Sequence, residues 1–482
     1  MPPPRKQKTF GADSRQKKPK KAFVPTTEDE ILFVGSTEED HGDRWANSDP
    51  AKAERFYLRA LEYYRMCLER FPGSFDAAYN KCRLEFHVYQ SFYPDTDRAM
   101  RDSTLQQILD DHRFALGLRD RPPAAAGPAS TPAPLPAPSD LLFNTAQVVL
   151  TLAELRHDFD LFRQALELFE RTWAVQWDEV YGDNAPASPS TDGDGEYATE
   201  IDPTTPTSLL ETAVGQLTCL IPVYSIAQAA GRAEVWADET LRQAGRVAME
   251  RVVQLVDGAG NADAVAVVVA PDVVAEAAVA VARYICLSGF PALERPADVA
   301  GMVAVWAGTG PDVLARLPAS LDRYMAQADS FSSYAAAVAG RDGDEAWRAL
   351  GGADQALARA LASAPTAAPV GRAPDTIGQM RAWAARGDVN LMRSQLRSSA
   401  LAAPHLAVVR KNAEVYFRNC SKVGAGASAP ETQTLLREAR IKGLAAAGDW
   451  AAVRAEDGWQ AVVGDAVDDG VLEADEVLAN AQ

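Results

Sequence analysis

The chain has 482 residues and a formal net charge of −18 at pH 7, and 47% of its residues are hydrophobic and 24% charged. This composition excludes a chain that is disordered throughout, and it allows a large buried core or an array of repeats. Alanine is frequent in the second half and isoleucine is rare, which favours helix over sheet.

The first 24 residues are predicted to form a disordered basic tail. Eight basic residues stand against Asp13, a net charge of +7, which leaves −25 for the rest of the chain. The basic clusters at 5–8 and 17–21 are of the kind that import receptors read, so a nuclear-import signal is one interpretation and a solvated tail is the other. The candidate import residues are Arg5, Lys6, Lys8, Lys17, Lys18, Lys20 and Lys21.

Residues 25–120 are predicted to hold the first helices of the fold. Thr26 or Thr27 can cap a helix that begins with three acidic residues, and the stretch 41–50 is expected to turn. Pro50 and the residues before it mark the next start, and "FPGS" stops that helix before Ser74 caps another. The expected helices cover 50–71, 74 to about 90, and 97–116.

Two polar segments interrupt the helical pattern. Residues 121–139 are rich in proline, alanine and serine and are typical of an extended linker, and residues 182–206 are predicted to be a second disordered insert. Between them, residues 140–181 are expected to form one helix hairpin.

From residue 207 to 454 helical segments alternate with short breaks, which predicts further, degenerate repeats. Two Gly-Asp dipeptides, at 387–388 and 448–449, are interpreted as corners between helices. The region 266–269, in "VAVVV", is interpreted as helix, although a short buried strand has the same pattern. The final segment, 455–482, contains eight acidic residues and no Lys or Arg, and is expected to be an acidic helix or tail.

A short element recurs along the chain. Tyr79-Asn80-Lys81-Cys82 returns 64 residues later as Phe143-Asn144-Thr145-Ala146, or 45 residues later once the 19-residue linker is removed. Such a period is typical of helix-hairpin solenoids, in which each pair buries a face against the next. The sequence therefore predicts an all-α fold, an antiparallel helix-hairpin solenoid.

These residues resemble the tetratricopeptide repeat. That family carries aromatic-Asn-x-small in its first helix, and Ala-x3-aromatic-x2-Ala-x4-Pro in its second, which Ala60, Tyr64, Cys67 and Pro72 match with Cys in place of Ala. The block 20–86 also looks like an uncharacterised fungal family of repeat proteins. The resemblance implies a concave peptide-binding groove, with Asn80, Lys81, Arg83, Asn144 and Arg163 as its candidate residues. It does not imply a clamp for chaperone C-termini, because Asn144 occupies a place where that clamp needs a basic residue.

The sequence gives little support for catalysis or metal binding. The five histidines lack partners at metal-ligand spacing, and His112 and His157 are interpreted as solvated helix ends. The five cysteines include no CxxC and are interpreted as reduced, buried residues, and most tryptophans as core. No catalytic residue, cofactor or metal is therefore predicted.

The functional hypothesis is a non-enzymatic scaffold that binds a protein segment, in particular a chaperone for a basic client, because the body of the chain is acidic. A general adaptor with incidental acidity is the alternative, and an unrecognised enzyme on a helical scaffold is a third. The chain is expected to be cytoplasmic, with shuttling to the nucleus, and to bind neither nucleic acid nor membrane.

Overall fold

The computed structural model describes residues 24–93, 97–119, 138–182, 204–230, 232, 234–259, 269–288, 317, 319–363, 376–427 and 429–480. Within these ranges the regular structure is all α-helical, as predicted. Almost all of the predicted disordered tail, the candidate import residues, most of both predicted inserts and most of the ambiguous region 266–269 lie outside the described residues. The chain divides into two compact units, residues 1–136 with 193–199, and residues 137–192 with 200–482.

The first unit contains two helix pairs. Its helices are α1 (Glu28–Ala46), α2 (Pro50–Arg70), α3 (Phe75–Phe92) and α4 (Arg98–Arg119).

The second unit contains the remaining helices of the described chain. They are α5 (Ser139–Arg156), α6 (Phe159–Tyr181), α7 (Pro206–Ala229), α8 (Glu234–Ala237), α9 (Glu239–Ala259), α10 (Pro271–Ser288), α11 (Leu321–Ala339), α12 (Gly343–Ser363), α13 (Thr376–Gln395), α14 (Leu406–Val423), α15 (Pro430–Ala447), α16 (Trp450–Ala455), α17 (Trp459–Asp468) and α18 (Ala474–Asn480).

Side-chain caps fix where several helices begin. The Thr27 hydroxyl accepts a hydrogen bond from the Glu30 N–H, and the Glu30 carboxylate accepts one from the Thr27 N–H at 3.1 Å, a capping box. The side chains of Ser74 and Asp158 accept hydrogen bonds from the first N–H groups of α3 and α6 without a reciprocal partner. These polar residues satisfy the first N–H groups of each helix, which is why the sequence locates these starts to within one or two residues.

Helices that follow one another in sequence pack against one another. In the first unit α1 packs on α2 and α3 on α4, and in the second α5 packs on α6, α11 on α12, and α13 on α14. Short connections between packed neighbours make these pairs antiparallel hairpins. Contacts such as α6 with α7 and α14 with α15 join one hairpin to the next. Within each unit the hairpins therefore stack in chain order, which is the predicted helix-hairpin solenoid organisation.

Glycines inside two helices leave space for aromatic rings of neighbouring helices and correct two predictions. The expected turn at 41–50 is helical as far as Ala46, and Gly42 within it lies against the ring of Tyr57. The expected corner at Gly387 is the middle of α13, where a Cβ would lie 2.6 Å from Cε1 of Phe417. At each of these glycines the missing side chain leaves a notch that an aromatic ring of the neighbouring helix fills, and neither glycine ends a helix.

Two further predictions are corrected, and one is confirmed. His112 is not a solvated helix end: it is fully buried in α4, with Nδ1 2.8 Å from the carbonyl oxygen of Ile108. Residues 232–257, which the helical pattern predicts to be one helix of the degenerate repeats, are interrupted at Asp238, whose side chain caps α9. His157 ends α5 as predicted, in a left-handed backbone conformation at φ 57°.

Helix α7 is the most apolar part of the core. Residues Pro206–Ala227 are long and apolar enough to cross a membrane, by length and composition, and 67% of that window is buried inside the protein. The helix packs against α6, α9 and α10, and this burial accounts for its apolar composition. The described cysteine side chains, Cys67, Cys82, Cys219 and Cys420, are free and buried.

Candidate functional site

The first half of α3 holds three of the predicted groove residues. Asn80 is half-buried, and within the described parts of the chain its side chain has no hydrogen-bond partner. Cys82, the small residue of the repeated element, is fully buried. Asn80 is therefore placed at the surface of the first unit with unused donors and an unused acceptor.

Lys81 and Arg83 hold carboxylates of their own unit. The Lys81 Nζ atom lies 3.0 Å from Glu85 and 2.5 Å from Asp111, and Lys81 is buried. Arg83 pairs with Glu39 on α1, whose other oxygen accepts a hydrogen bond from the Tyr64 hydroxyl at 3.0 Å. Both cations thus stabilise the packing of α3 on its neighbours, and an acidic peptide would have to compete with these pairs.

Asn144 and Arg163 belong to the second unit. Asn144 is half-buried on α5, and among the described residues its side chain has no hydrogen-bond partner. Two positions later Ala146 is fully buried, as Cys82 is in α3. The structure does not bring Asn144 and Arg163 to one contact; Arg163 lies on α6, at the mouth of a cavity.

That cavity lies where the α5–α6 turn meets the start of α9, and its volume is about 560 Å³. Buried side chains of Phe162, Val223 and Leu241 form its floor. The remaining lining residues form a mainly charged rim: Arg156, His157, Asp158, Phe159, Asp160, Arg163, Arg232, Glu234, Val235 and Asp238.

The rim is a network of ion pairs across the cavity mouth. Arg163 lies 3.1 Å from Asp160 and 3.3 Å from Asp238, and Arg232 lies 2.9 Å from Glu234. Burial alone would raise the pKa of Asp238, but hydrogen bonds from Arg163 and from backbone N–H groups hold this pKa below its ordinary value. A charged rim above an apolar floor suits a polar peptide segment better than a wholly apolar ligand.

The acidic C-terminal segment is folded onto the end of the second unit. Val462, Val463 and Ala466 of α17 are buried with Met380 and Phe417 in one apolar cluster. Glu476 pairs with Arg410, and Glu473 with Arg397 at 3.0 Å. Five further carboxylates of the segment are exposed, those of Asp457, Asp465, Asp468, Asp469 and Asp475, and the segment has no Lys or Arg. We call these five side chains the acidic face.

Sequence reasoning missed most of the cavity. Its available signal was the pair of capping aspartates, Asp158 and Asp238, each at the start of a long helix of adjacent hairpins. The ring of Phe159 and the charges contributed by residues 232–238 become neighbours only through tertiary packing. The described residues contain no group of three or more His, Cys, Asp or Glu arranged to hold a metal ion.

Comparisons with known proteins give two curated relatives and one solved structure of interest. No known protein-family model matches the chain. It is 35% identical over 158 residues to a UPF0656 protein of Schizosaccharomyces pombe, covering 32% of this chain and 30% of that protein. It is 33% identical over 96 residues to an uncharacterized protein of Saccharomyces cerevisiae, covering 19% of this chain and 17% of that protein.

The matched regions thus span less than a third of the length of these curated relatives. A solved circular tandem repeat protein with novel repeat topology and enhanced subunit contact surfaces is 12% identical, with a TM-score of 0.30 over 94% of this chain and 98% of that one. The sequence matches confirm the predicted resemblance to uncharacterised fungal proteins.

Proposed function

We propose that this protein is a non-enzymatic scaffold that binds a basic segment of a client protein. The acidic face carries this proposal, because its five exposed carboxylates lie on α17 and α18 or in the turns beside α17, in a segment without Lys or Arg. Carboxylates held on a folded surface attract an extended basic chain without first having to be ordered themselves. The charge of −25 outside the first 24 residues acts in the same direction at longer range.

We also propose that the hairpins α1–α2, α3–α4 and α5–α6 are repeats of the tetratricopeptide type. In support, Ala60, Tyr64 and Cys67 form one buried stripe along α2. Cys82 and Ala146, the small residues of the recurring element, are also fully buried. A repeat of this type presents a surface on which an extended client segment can lie.

Recovery of partners by the full-length chain tests the basic client. The experiment compares capture at about 0.05 M and about 0.5 M salt, since screening weakens contacts between exposed charges. The test variant is D465N/D468N/D469N, and the matched control D40N/E62Q/E69Q removes the same charge from the first unit. We expect basic partners, lost at high salt and reduced roughly fivefold by the test variant alone, because each exposed charge pair contributes up to about 1 kcal/mol. Acidic or neutral partners that are insensitive to salt would contradict the proposal.

A general adaptor is the second candidate, and the free side chains of Asn80 and Asn144 favour it. Each is half-buried, with no hydrogen-bond partner in the described ranges, and an amide can bind the backbone of an extended peptide through both its oxygen and its nitrogen. The variant N80A/N144A separates the two functions. Loss of partners in this variant, with no effect of the D465N/D468N/D469N change, would favour the adaptor.

The site of action proposed here is the cytoplasm, with shuttling to the nucleus through the basic tail. Replacing Lys17, Lys18, Lys20 and Lys21 by Gln in a fluorescent fusion should keep the protein out of the nucleus. An unchanged distribution would remove the import signal from the account.

A further inference from the structure

One face of α6 carries a regular series of aromatic side chains. Phe159, Trp173, Trp177 and Tyr181 are separated by 14, 4 and 4 residues, which at 100° per residue places all four on the same side of the helix. The rings of Trp173 and Trp177 stack with centroids 5.8 Å apart, and those of Trp177 and Tyr181 lie 4.6 Å apart. The last three rings therefore form a continuous ladder towards the C-terminal end of α6.

Arginines from the neighbouring hairpin already cover two of the four rings. The guanidinium carbon of Arg232 lies 4.3 Å from the centroid of Phe159, and that of Arg251 lies 4.4 Å from the centroid of Trp173. Such distances are those of attractive cation–π contacts. The α6 face is thus a surface on which arginine side chains bind within the folded protein.

A carboxylate completes the arginine contact at Trp173. Glu170, three residues before Trp173, accepts two hydrogen bonds from Arg251, at 2.6 and 2.7 Å. This bidentate pair holds the guanidinium over the ring, and it lowers the pKa of Glu170. The arginine is therefore bound by a pair of side chains, a carboxylate and an aromatic ring three positions later in the helix.

The same pair of side chains, a carboxylate and an aromatic ring three positions later, recurs at the end of the helix without an arginine. Asp178 and Tyr181 have the same spacing as Glu170 and Trp173, and both are exposed. The exposed fractions are 45% for Tyr181 and 36% for Trp177, against 7% for Trp173. In the part of the chain that the structure describes, no cation lies over Trp177 or Tyr181 and none pairs with Asp178.

We propose that Asp178, Trp177 and Tyr181 bind an arginine side chain of a basic client. The inference rests on the proposed function and identifies the surface that binds one residue of the client. Arginine fits better than lysine, because a planar guanidinium can stack on a ring and bond a carboxylate at once, as Arg251 does. Charge also favours a cation, since α6 carries five acidic residues, Asp160, Glu167, Glu170, Asp178 and Glu179, against Arg163 and Arg171.

The test measures binding of labelled peptides to the full-length protein by fluorescence anisotropy. The probes are a twelve-residue peptide of alternating Arg and Gly, the same peptide with Lys or citrulline, and an uncharged proline-rich peptide. The variants are W177L/Y181L, which keeps apolar area but removes the rings, and D178N. The control is F114L, which alters an exposed aromatic residue on α4.

We expect the arginine peptide to bind most tightly. Its Kd should rise about tenfold in W177L/Y181L and about threefold in D178N, and should not change in F114L. Salt should weaken the contribution of Asp178 more than that of the rings, since a contact between exposed opposite charges is screened.

Three results would overturn the inference while leaving the proposed function in place. They are equal Kd values for wild type and both α6 variants, tighter binding of the proline-rich peptide, and a concentration-dependent dimer that W177L/Y181L abolishes. If no arginine or lysine peptide binds the wild type even at low salt, the basic client itself is wrong and the inference falls with it.

Discussion

The sequences around Gly387 and Gly448 are nearly the same, yet the two regions fold differently. Each Gly-Asp pair follows an alanine-rich helical stretch, "WAARGD" in one case and "LAAAGD" in the other. Gly448 adopts φ 78° and ends α15, after which the Asp449 side chain caps α16. Gly387 stays helical inside α13, and Asp388 pairs with Lys442 at 3.0 Å.

What separates the two regions is a neighbouring side chain. The ring of Phe417 occupies the space that a Cβ on Gly387 would need, whereas nothing lies within 4 Å of the corresponding position at Gly448. One glycine is required for close packing and the other for a left-handed backbone. A glycine in a helical sequence pattern can therefore lie inside a helix or end it, and packing against the neighbouring helix determines which of the two occurs.

The largest effect is expected for Gly387→Val. The added side chain would overlap the buried ring of Phe417, and overpacking of this kind costs about 3 kcal/mol. Thermal unfolding followed by circular dichroism should show a lower midpoint. In the double variant Gly387→Ala/Phe417→Leu the smaller side chain should recover part of the loss caused by Gly387→Ala alone. If Gly387→Ala costs the same whether or not the Phe417 ring is present, the ring is not the cause.

Unfolding at alkaline pH should distinguish the notch at Gly387 from a similar one in the first unit. Gly35 lies under Tyr64, whose pKa is raised by burial and by the nearby Glu39 carboxylate. The pKa of Tyr64 in the folded protein is thus above its ordinary value of about 10. The neutral side chain therefore contributes its full stabilisation of the fold below pH 10. This contribution is lost as the pH rises, because the tyrosine ionises more readily in the unfolded chain. Other buried tyrosines, such as Tyr57, also have a raised pKa, so the loss of stability at pH 11 should be about 1.4 kcal/mol smaller in Tyr64→Phe than in the wild type.

Phe417, in the notch at Gly387, has no hydroxyl to ionise. Tyr64→Phe should therefore slow hydrogen exchange of α1 and α2 at high pH and leave α13 and α14 unchanged, where Tyr416 and Cys420 carry their own raised pKa values. An equal effect on both helix pairs would show that ionisation at the Gly35 notch is not the cause.

A smaller effect is expected at Gly448. Alanine in a left-handed conformation costs about 1 kcal/mol, and no clash adds to this, because the position is open. Urea unfolding of Gly448→Ala should show that loss, whereas Gly448→Asn should lose less, since Asn tolerates this conformation better. A stabilising Gly448→Ala would show that the residue is not a helix end.

The sequence predicts helix positions well where the signal is local. The helix starts at Pro50 and Ser74 follow from caps and a fixed proline angle, and the all-α class follows from composition and periodicity. Predictions are wrong where a tertiary contact gives a residue a different role from the one that its sequence neighbours indicate. Gly42 and Gly387 have the composition of corners, and His112 has polar neighbours in sequence yet lies in the core.

The candidate site divides in the same way. The recurring Asn elements were visible in sequence, but the ion pairs that occupy Lys81 and Arg83 come from α1 and α4 as well as from α3 itself. The helical spacing of Trp177 from other apolar residues predicts a core position, as for most tryptophans of the chain, but its ring is exposed at the end of α6. The arginine pattern on α6 depends on Arg232 and Arg251, which follow the rings they cover, Phe159 and Trp173, by 73 and 78 residues.

Adjacent glycines in α12 test the central claim, that an interior glycine is retained where a neighbouring ring needs its space. A Cβ on Gly352 would lie 2.9 Å from Phe331, whereas one on Gly351 would meet nothing within 4 Å. The measurement is the thermal midpoint of Gly351→Ala and Gly352→Ala. The account predicts opposite signs: Gly351→Ala gains up to about 1 kcal/mol from helix propensity, and Gly352→Ala loses stability. Stabilisation by both substitutions would contradict it.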